Sequence, residues 1–132
     1  KVRRAEQDLL CFQGEDMVFQ TRVATGLYDT PTPRGEFNVL LKRHTRRMEG
    51  TINGDSYDLT GIPFPVYITW SGIAIHGTYW HNDFGRPHSH GCINVTHHAA
   101  KWIFRWVTPT IDYLDYDVLS DATNTGTRVV VE

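Results

Sequence analysis

The sequence predicts a mainly β domain with one clear helix. Short β-prone runs separated by turn residues recur along the chain, at 8–12, 17–25, 36–41, 65–70, 72–75, 116–119 and 127–131. Only residues 97–107 repeat apolar side chains at three- and four-residue steps, as one helix face requires. A chain of 132 residues is long enough to bury about two thirds of its unfolded surface around one core. We therefore expect residues 1–132 to form a single domain.

Turn and capping residues set the expected bounds of these elements. A glycine and acidic cluster at 13–16 joins the first two runs and predicts an N-terminal hairpin. Two prolines and a glycine within 29–35 predict a rigid turn before the third run. Thr96 is the expected N-cap of the helix, and Pro109 is a stop signal just beyond its end. Residues 42–64 are polar with little periodicity, which predicts a long surface loop.

Charge and composition exclude several classes of protein. A net charge of -2 and a pI near 6.4 provide no broad basic surface, so nucleic acid is not an expected partner. No stretch approaches the roughly 20 apolar residues of a membrane span. Two cysteines do not make a disulfide scaffold, and we expect both Cys11 and Cys92 to be free thiols. Cys11 lies in an apolar run, where a thiol acts as a small hydrophobic group.

Residues 76–94 carry the chemistry that the rest of the chain lacks. This polar segment holds four of the seven histidines and one of the two cysteines. A thiol is nucleophilic as the thiolate, and a nearby imidazole commonly keeps it ionised near neutral pH. Cys92 fits that need, with His76 and His90 within reach. Gly91 permits a backbone conformation that aims successive N–H groups at one point, as an oxyanion hole requires.

A zinc site is the main alternative interpretation of this segment. Its possible ligands are His76, His81, His88, His90 and Cys92. The chain has no paired Cys-x-x-Cys motif, and His-x-His-x-Cys is not a usual spacing for structural zinc. The residues favour a nucleophilic cysteine without a metal, and the zinc alternative stays open.

The string Ser89-His90-Gly91-Cys92-Ile93-Asn94, preceded by Ile75-His76-Gly77, resembles the active-site signature of the L,D-transpeptidase (YkuD-like) catalytic domains. Residues 30–37 are similar to that family's Thr-Pro-x-Gly-x-Phe segment, so the resemblance covers nearly the whole chain. It implies a fold of two packed mixed β-sheets with a helix after the catalytic cysteine. The helix expected at 97–107 fits this order.

The resemblance also implies roles for individual residues. Cys92 would be the nucleophile, His76 the general base, and Gly77 the residue whose carbonyl orients that base. Ser89 and His90 would shape the site, and the backbone N–H groups of Gly91 and Cys92 would be the oxyanion donors. Asn94 would help to hold the substrate or the loop. Aromatic side chains could form the pocket wall or a small core under the long loop, with Trp80 favoured for the pocket; the others are Tyr57, Tyr79 and Phe84.

The reaction implied by the resemblance is acyl transfer on peptidoglycan stem peptides. Cys92 would attack the carbonyl of the third residue, release D-alanine, and pass the thioester to an acceptor amine, forming a cross-link or attaching an acceptor protein. No dissociable cofactor is needed, and carbapenem-type β-lactams are expected to acylate Cys92. An extracytoplasmic location follows, with the targeting segment outside this sequence. The alternatives are an L,D-carboxypeptidase acting on the same bond and a non-catalytic, zinc-stabilised cell-wall-binding module.

Overall fold

The computed structural model describes residues 1–132 and consists mainly of strands. Twelve strands and one helix follow the chain. The first six strands are β1 (Val2–Arg3), β2 (Asp8–Gln13), β3 (Asp16–Arg22), β4 (Gly35–Asn38), β5 (Leu41–Arg43) and β6 (Thr45–Ile52). The remaining elements are β7 (Asp55–Pro63), β8 (Val66–Tyr67), β9 (Ala74–Gly77), β10 (Ile93–Val95), α1 (His97–Trp106), β11 (Asp117–Leu119) and β12 (Arg128–Val131).

Ten of the strands form two mixed five-stranded sheets. Sheet I has the order β3-β2-β1-β12-β4, and sheet II has the order β10-β9-β8-β5-β11. Each sheet contains one parallel pair, β1 with β12 and β9 with β10, while the other pairs are antiparallel. Strands β6 and β7 form a separate hairpin. The predicted fold class of two mixed sheets with one helix is therefore confirmed.

One buried apolar cluster joins both sheets to α1. Its members include Val2, Leu9, Val129, Val66, Ile75, Ile93, Ile103 and Phe104. Every residue of β9 and β10 is buried, which places the histidine-rich segment against this core. The outer edge of β10 is covered by Ala24, whose N–H and C=O groups both pair with Asn94 at 2.9 Å. The strands that carry the candidate site are therefore held on both sides.

The N-terminal hairpin and the helix occur where the sequence predicts them. Strands β2 and β3 pair in antiparallel register, and α1 begins after Thr96, whose Oγ1 accepts the N–H of Ala99 at 3.2 Å. No helix here has the length and apolar character needed to cross a bilayer. The run expected at 36–41 divides into β4 in sheet I and β5 in sheet II, so this segment connects the sheets. Both cysteines are free thiols, as expected, and Cys11 is buried.

The prediction of a long surface loop at 42–64 is wrong, because most of this segment is the β6–β7 hairpin. The strands are joined by a two-residue turn at Asn53 and Gly54, with φ of 53° and 85°. Asn-Gly is the preferred sequence for a turn that needs positive φ at both positions. The strands are polar because most of their residues are exposed, which hides the usual hydrophobic signal.

Lys42 is a buried lysine that ties β5 to the end of α1. Lys42 is only 1% exposed, and its Nζ donates to the carbonyl oxygens of Val107 and Pro109, each at 2.8 Å. The ammonium also lies 4.8 Å from the centre of the Phe104 ring. Burial lowers the pKa of Lys42 to about 8. The two carbonyl groups just after α1 thus depend on this side chain for their donors.

Candidate active site

The candidate site begins with the parallel pairing of β9 and β10. His76 lies opposite Asn94 in the register, and Cys92 immediately precedes Ile93, which lies opposite Ile75. Side chains alternate between the two faces of a sheet, and registered partners share a face. Cys92 and Asn94 therefore lie on the same face as His76, with adjacent strands about 4.8 Å apart. The fold brings together the thiol and the imidazole that the sequence places sixteen positions apart.

His76 is held in one tautomer by its own strand. The residue is 3% exposed, and its Nδ1 lies 2.8 Å from the carbonyl oxygen of Gly77. A carbonyl only accepts, so Nδ1 carries the proton and Nε2 is left as an acceptor. Burial lowers the pKa of His76 to about 4, so the ring is neutral at pH 7. This geometry leaves Nε2 able to take a proton.

Cys92 is a partly exposed thiol in surroundings that disfavour its anion. Its Sγ lies 3.5 Å from the carbonyl oxygen of Gly72, to which the S–H donates. Desolvation raises the pKa of Cys92, and a hydrogen bond from the backbone of Ala74 only partly opposes this. The resting pair at pH 7 is thus a neutral thiol and a neutral imidazole. The sequence pattern indicates a preformed thiolate, whereas desolvation here disfavours the charged form of each group.

The turn before Cys92 is stabilised by Ser89. The Ser89 Oγ donates to the carbonyl oxygen of Cys92 and accepts the Gly91 N–H at 3.1 Å. Gly91 has φ of +132°, and an added Cβ would lie 3.0 Å from the Cδ1 of Ile73, so glycine is required here. The Gly91 N–H already has an acceptor in Ser89, which differs from the expected oxyanion role. The Cys92 N–H remains the other expected donor.

A buried threonine far away in the sequence braces this turn. Thr32 is 0% exposed, and its Oγ1 donates to the carbonyl oxygen of Gly91 at 2.7 Å and accepts the Gly26 N–H at 3.0 Å. Gly26 also forms an isolated parallel bridge with Ser89. The sequence indicates only a rigid turn and a family motif around Thr32. Its position in that motif is the one signal that could have marked it as part of the site.

A cavity of about 420 Å³ opens in front of Cys92. His76, Trp80, His90 and Asn94 line it, and the centre of the Trp80 ring lies 5.8 Å from that of His76. The opposite wall comes from the β6–β7 hairpin and is formed by Met48, Ile52, Tyr57 and Leu59. The segment interpreted as a polar loop therefore supplies an apolar wall that the sequence does not reveal.

The aromatic residues expected in the pocket divide into two groups. Tyr57 and Trp80 line the cavity, and the Tyr57 ring lies 5.7 Å from that of His90. Tyr79 and Phe84 lie outside it, in a shallow depression near the start of α1. The Tyr79 hydroxyl donates to the carbonyl oxygen of Thr60, so it joins the active-site segment to the hairpin.

His81, Asp83 and His88 are the residues best placed to hold a metal, since one ligand atom from each lies within 4.8 Å of the others. The carboxylate is already paired, with Arg86 on one oxygen and the His88 Nδ1 at 2.8 Å from the other. The two imidazoles stack at 3.7 Å with an interplanar angle of 23°. The lone pairs of stacked rings lie in nearly parallel planes, whereas a tetrahedral zinc site needs lone pairs that converge on one point. The observed arrangement does not favour zinc.

Sequence comparisons identify relatives of this chain. The family model for the L,D-transpeptidase catalytic domain, YkuD, matches residues 1–131. L,D-transpeptidase 1 of Mycobacterium tuberculosis is 38% identical over 86 residues, which cover 59% of this chain and 34% of the relative. The chain spans about a third of the length of the curated relatives it matches.

Solved structures share the whole fold. An L,D-transpeptidase from Mycobacterium smegmatis superposes with a TM-score of 0.80 at 24% identity, covering 99% of this chain and 56% of that one. A mutant L,D-transpeptidase of Enterococcus faecium gives 0.78 at 26% identity, covering 99% and 48%. An L,D-transpeptidase in complex with imipenem gives 0.79 at 26% identity, covering 99% and 56%. With a match over residues 1–131 and the same two-sheet fold, this chain belongs to the L,D-transpeptidase catalytic domain family.

Proposed function

We propose that this chain is a cysteine acyltransferase that performs L,D-transpeptidation on peptidoglycan stem peptides. The observation that carries the proposal is the placement of Cys92 and His76 on one sheet face, at the wall of one cavity. The hydrogen bond from His76 Nδ1 to Gly77 leaves Nε2 free to act as a base. Membership of the family supports this choice of reaction.

The first half-reaction forms a thioester. His76 Nε2 takes the proton from the Cys92 thiol as Sγ attacks the carbonyl carbon of the third residue of a tetrapeptide stem. The tetrahedral intermediate collapses, the bond from that carbon to the nitrogen of D-alanine breaks, and His76 returns its proton to the leaving amine. Because both groups start neutral, the proton moves during the attack and no thiolate has to be stored beforehand.

The second half-reaction transfers the acyl group. An amine of a second stem attacks the thioester carbon and loses a proton to His76, the C–S bond breaks, and Cys92 regains its proton. The product is a cross-link between the third residues of two stems. An amine of an acceptor protein would give an attached protein by the same step, and water would give a shortened stem, the L,D-carboxypeptidase outcome.

The surrounding groups have distinct proposed roles. The Cys92 N–H stabilises the oxyanion, a contribution typically worth about 3 kcal/mol in the transition state. The Gly91 N–H takes part only if its bond to Ser89 loosens. Trp80, His90 and Tyr57 contact the stem peptide across the cavity. The site thus offers one fixed donor and an aromatic wall.

The test is mass analysis of products formed from a purified disaccharide-tetrapeptide. We expect a dimer joined through the third residues from the wild type and from Cys11→Ala, which removes the buried thiol outside the site. We expect none from Cys92→Ala. Tripeptide with free D-alanine and no dimer would establish the carboxypeptidase alternative. Unchanged tetrapeptide with folded wild type would contradict both enzymes and direct attention to zinc content by elemental analysis.

Carbapenem-type β-lactams are proposed covalent inhibitors. Relatives of known structure have been solved in complex with imipenem, as a faropenem-derived adduct and as an avibactam carbamoyl enzyme. Incubation with imipenem should add one drug mass to the wild type and to Cys11→Ala and none to Cys92→Ala. An adduct that persists in Cys92→Ala would remove this residue as the nucleophile. Since peptidoglycan lies outside the cytoplasmic membrane, the proposed place of action is extracytoplasmic.

A further inference from the structure

The hydrogen bonds of His81 can all be satisfied only with one tautomer of His81 and one orientation of the Asn94 amide. Asn94 is 2% exposed, and its Nδ2 lies 2.9 Å from the Nε2 of His81. The other end of the same amide, Oδ1, is buried with no donor. The Nδ1 of His81 accepts the N–H of Asp83 at 3.0 Å.

A neutral imidazole has one N–H, which fixes the roles of both ring nitrogens. The backbone N–H of Asp83 can only donate, so the His81 proton must be on Nε2. Nε2–H would then face the Nδ2 group of Asn94, which is also a donor. Reversing the amide places Oδ1 on Nε2–H and puts the N–H₂ group at the buried position that Oδ1 held, where it needs an acceptor. The amide oxygen and nitrogen are similar in size, so hydrogen bonding decides between the two orientations.

Three neighbouring groups hold the His81 ring in this position. The His88 ring stacks on it at 3.7 Å, and the His88 Nδ1 is paired with the Asp83 carboxylate at 2.8 Å. Arg86 donates to the other oxygen of that carboxylate. Desolvation and the nearby His88 lower the pKa of His81, which keeps the ring neutral. The position of His81 is thus set by groups within residues 83–88, and the Asp83 N–H sets its tautomer.

We infer that His81, as the Nε2–H tautomer, is a positioning residue that orients the Asn94 amide for the acyl-donor peptide. Asn94 lies opposite His76 and lines the cavity beside Cys92. With Oδ1 held by His81, the buried N–H₂ group is left without an acceptor, which a carbonyl or carboxylate oxygen of the stem peptide can supply. This inference rests on the proposed transpeptidase function.

The first measurement is the tautomer itself, by ¹⁵N–¹H correlation spectra of the wild type labelled in histidine. We expect the His81 Nε2 to carry the proton and Nδ1 to be unprotonated near pH 7. Resonances are assigned with His81→Gln, which removes one imidazole. A proton on Nδ1 would overturn the inference, because the Asn94 amide would then keep Nδ2 towards the ring.

The second measurement is steady-state kinetics with the tetrapeptide substrate. His81→Phe keeps a ring that can stack on His88 but has no donor, and kcat/KM should fall about 10- to 100-fold. Glutamine places an amide N–H near the position of Nε2, so His81→Gln should recover activity to within about fivefold of wild type. His98→Phe makes the same change at an exposed position on α1 and should leave kcat/KM unchanged.

The outcomes separate this inference from the proposed function. Equal activity of His81→Phe and wild type would refute the positioning role while leaving the transpeptidase intact. Equal losses in His81→Phe and His81→Gln would also refute it, because a donor at that position would not matter. If wild type forms no product, the proposed function fails, whereas the tautomer measurement still decides how His81 and Asn94 are paired.

Discussion

Replacing Thr32 by valine should destabilise the fold and disturb the turn before Cys92. Valine keeps the shape of the side chain but has no hydroxyl, so the Gly91 carbonyl loses its 2.7 Å donor and the Gly26 N–H loses its 3.0 Å acceptor. Both glycines are buried, so water cannot replace either partner. An unsatisfied buried polar group costs about 1–3 kcal/mol. Two such groups should lower the free energy of unfolding by about 2–6 kcal/mol.

Serine is the matched control, because Thr32→Ser keeps the hydroxyl and removes only a methyl group. Urea denaturation should show most of the loss in Thr32→Val and little of it in Thr32→Ser. The rate of imipenem acylation, measured on folded protein, should fall in Thr32→Val because the Gly91 carbonyl no longer anchors the turn before Cys92. A valine variant within about 0.5 kcal/mol of wild type with the same acylation rate would refute the reasoning.

Three further predictions concern protons, backbone strain and the buried lysine. The pKa of His76 is lowered to about 4, so acylation of Cys92 should persist to mildly acidic pH and fall only as the pH drops towards 4. A pH–rate profile with a fall centred near pH 6.5 would contradict this. Gly91 has φ of +132°, so Gly91→Ala should lower the free energy of unfolding in urea by about 1–3 kcal/mol and slow the acylation of Cys92. An unchanged free energy of unfolding and acylation rate would show that the turn relaxes freely. Lys42→Met leaves two carbonyl groups after α1 without donors and should be less stable than wild type in urea at pH 7. That deficit should widen between pH 8 and 10.5, since only the unfolded wild type keeps the lysine proton there; a deficit that narrows would contradict the lowered pKa.

Elements with a local signal were predictable from the sequence. The helix is one, since its apolar period and the cap at Thr96 are both encoded within a few residues. The β6–β7 hairpin is the opposite case, because most of its residues are exposed and polar and most side chains on its inner face are only partly buried. The Asn53-Gly54 pair is the one local signal of this hairpin, since Asn-Gly favours a two-residue turn between paired strands.

In the candidate site, too, features with a local sequence signal were predictable and features that depend on tertiary contacts were not. The motif predicts Cys92 and His76, and the parallel register places them together. The protonation state of the pair was not predictable, because burial depends on the whole fold. The contact of Thr32 with Gly91 was hidden for a related reason, since it joins positions 59 residues apart. Tertiary contacts of this kind have no local pattern in the sequence.

The brace between Thr32 and the turn at Gly91 has a consequence for the order of folding. Its hydrogen bond, like the pairing of Ala24 with Asn94, closes a long stretch of chain, and such contacts carry a loop-closure entropy that local elements avoid. The N-terminal hairpin and α1 can form early from nearby residues. The geometry around Cys92 must wait until segments from both halves of the chain meet. Cys92 therefore reaches its final surroundings only after the two sheets have come together.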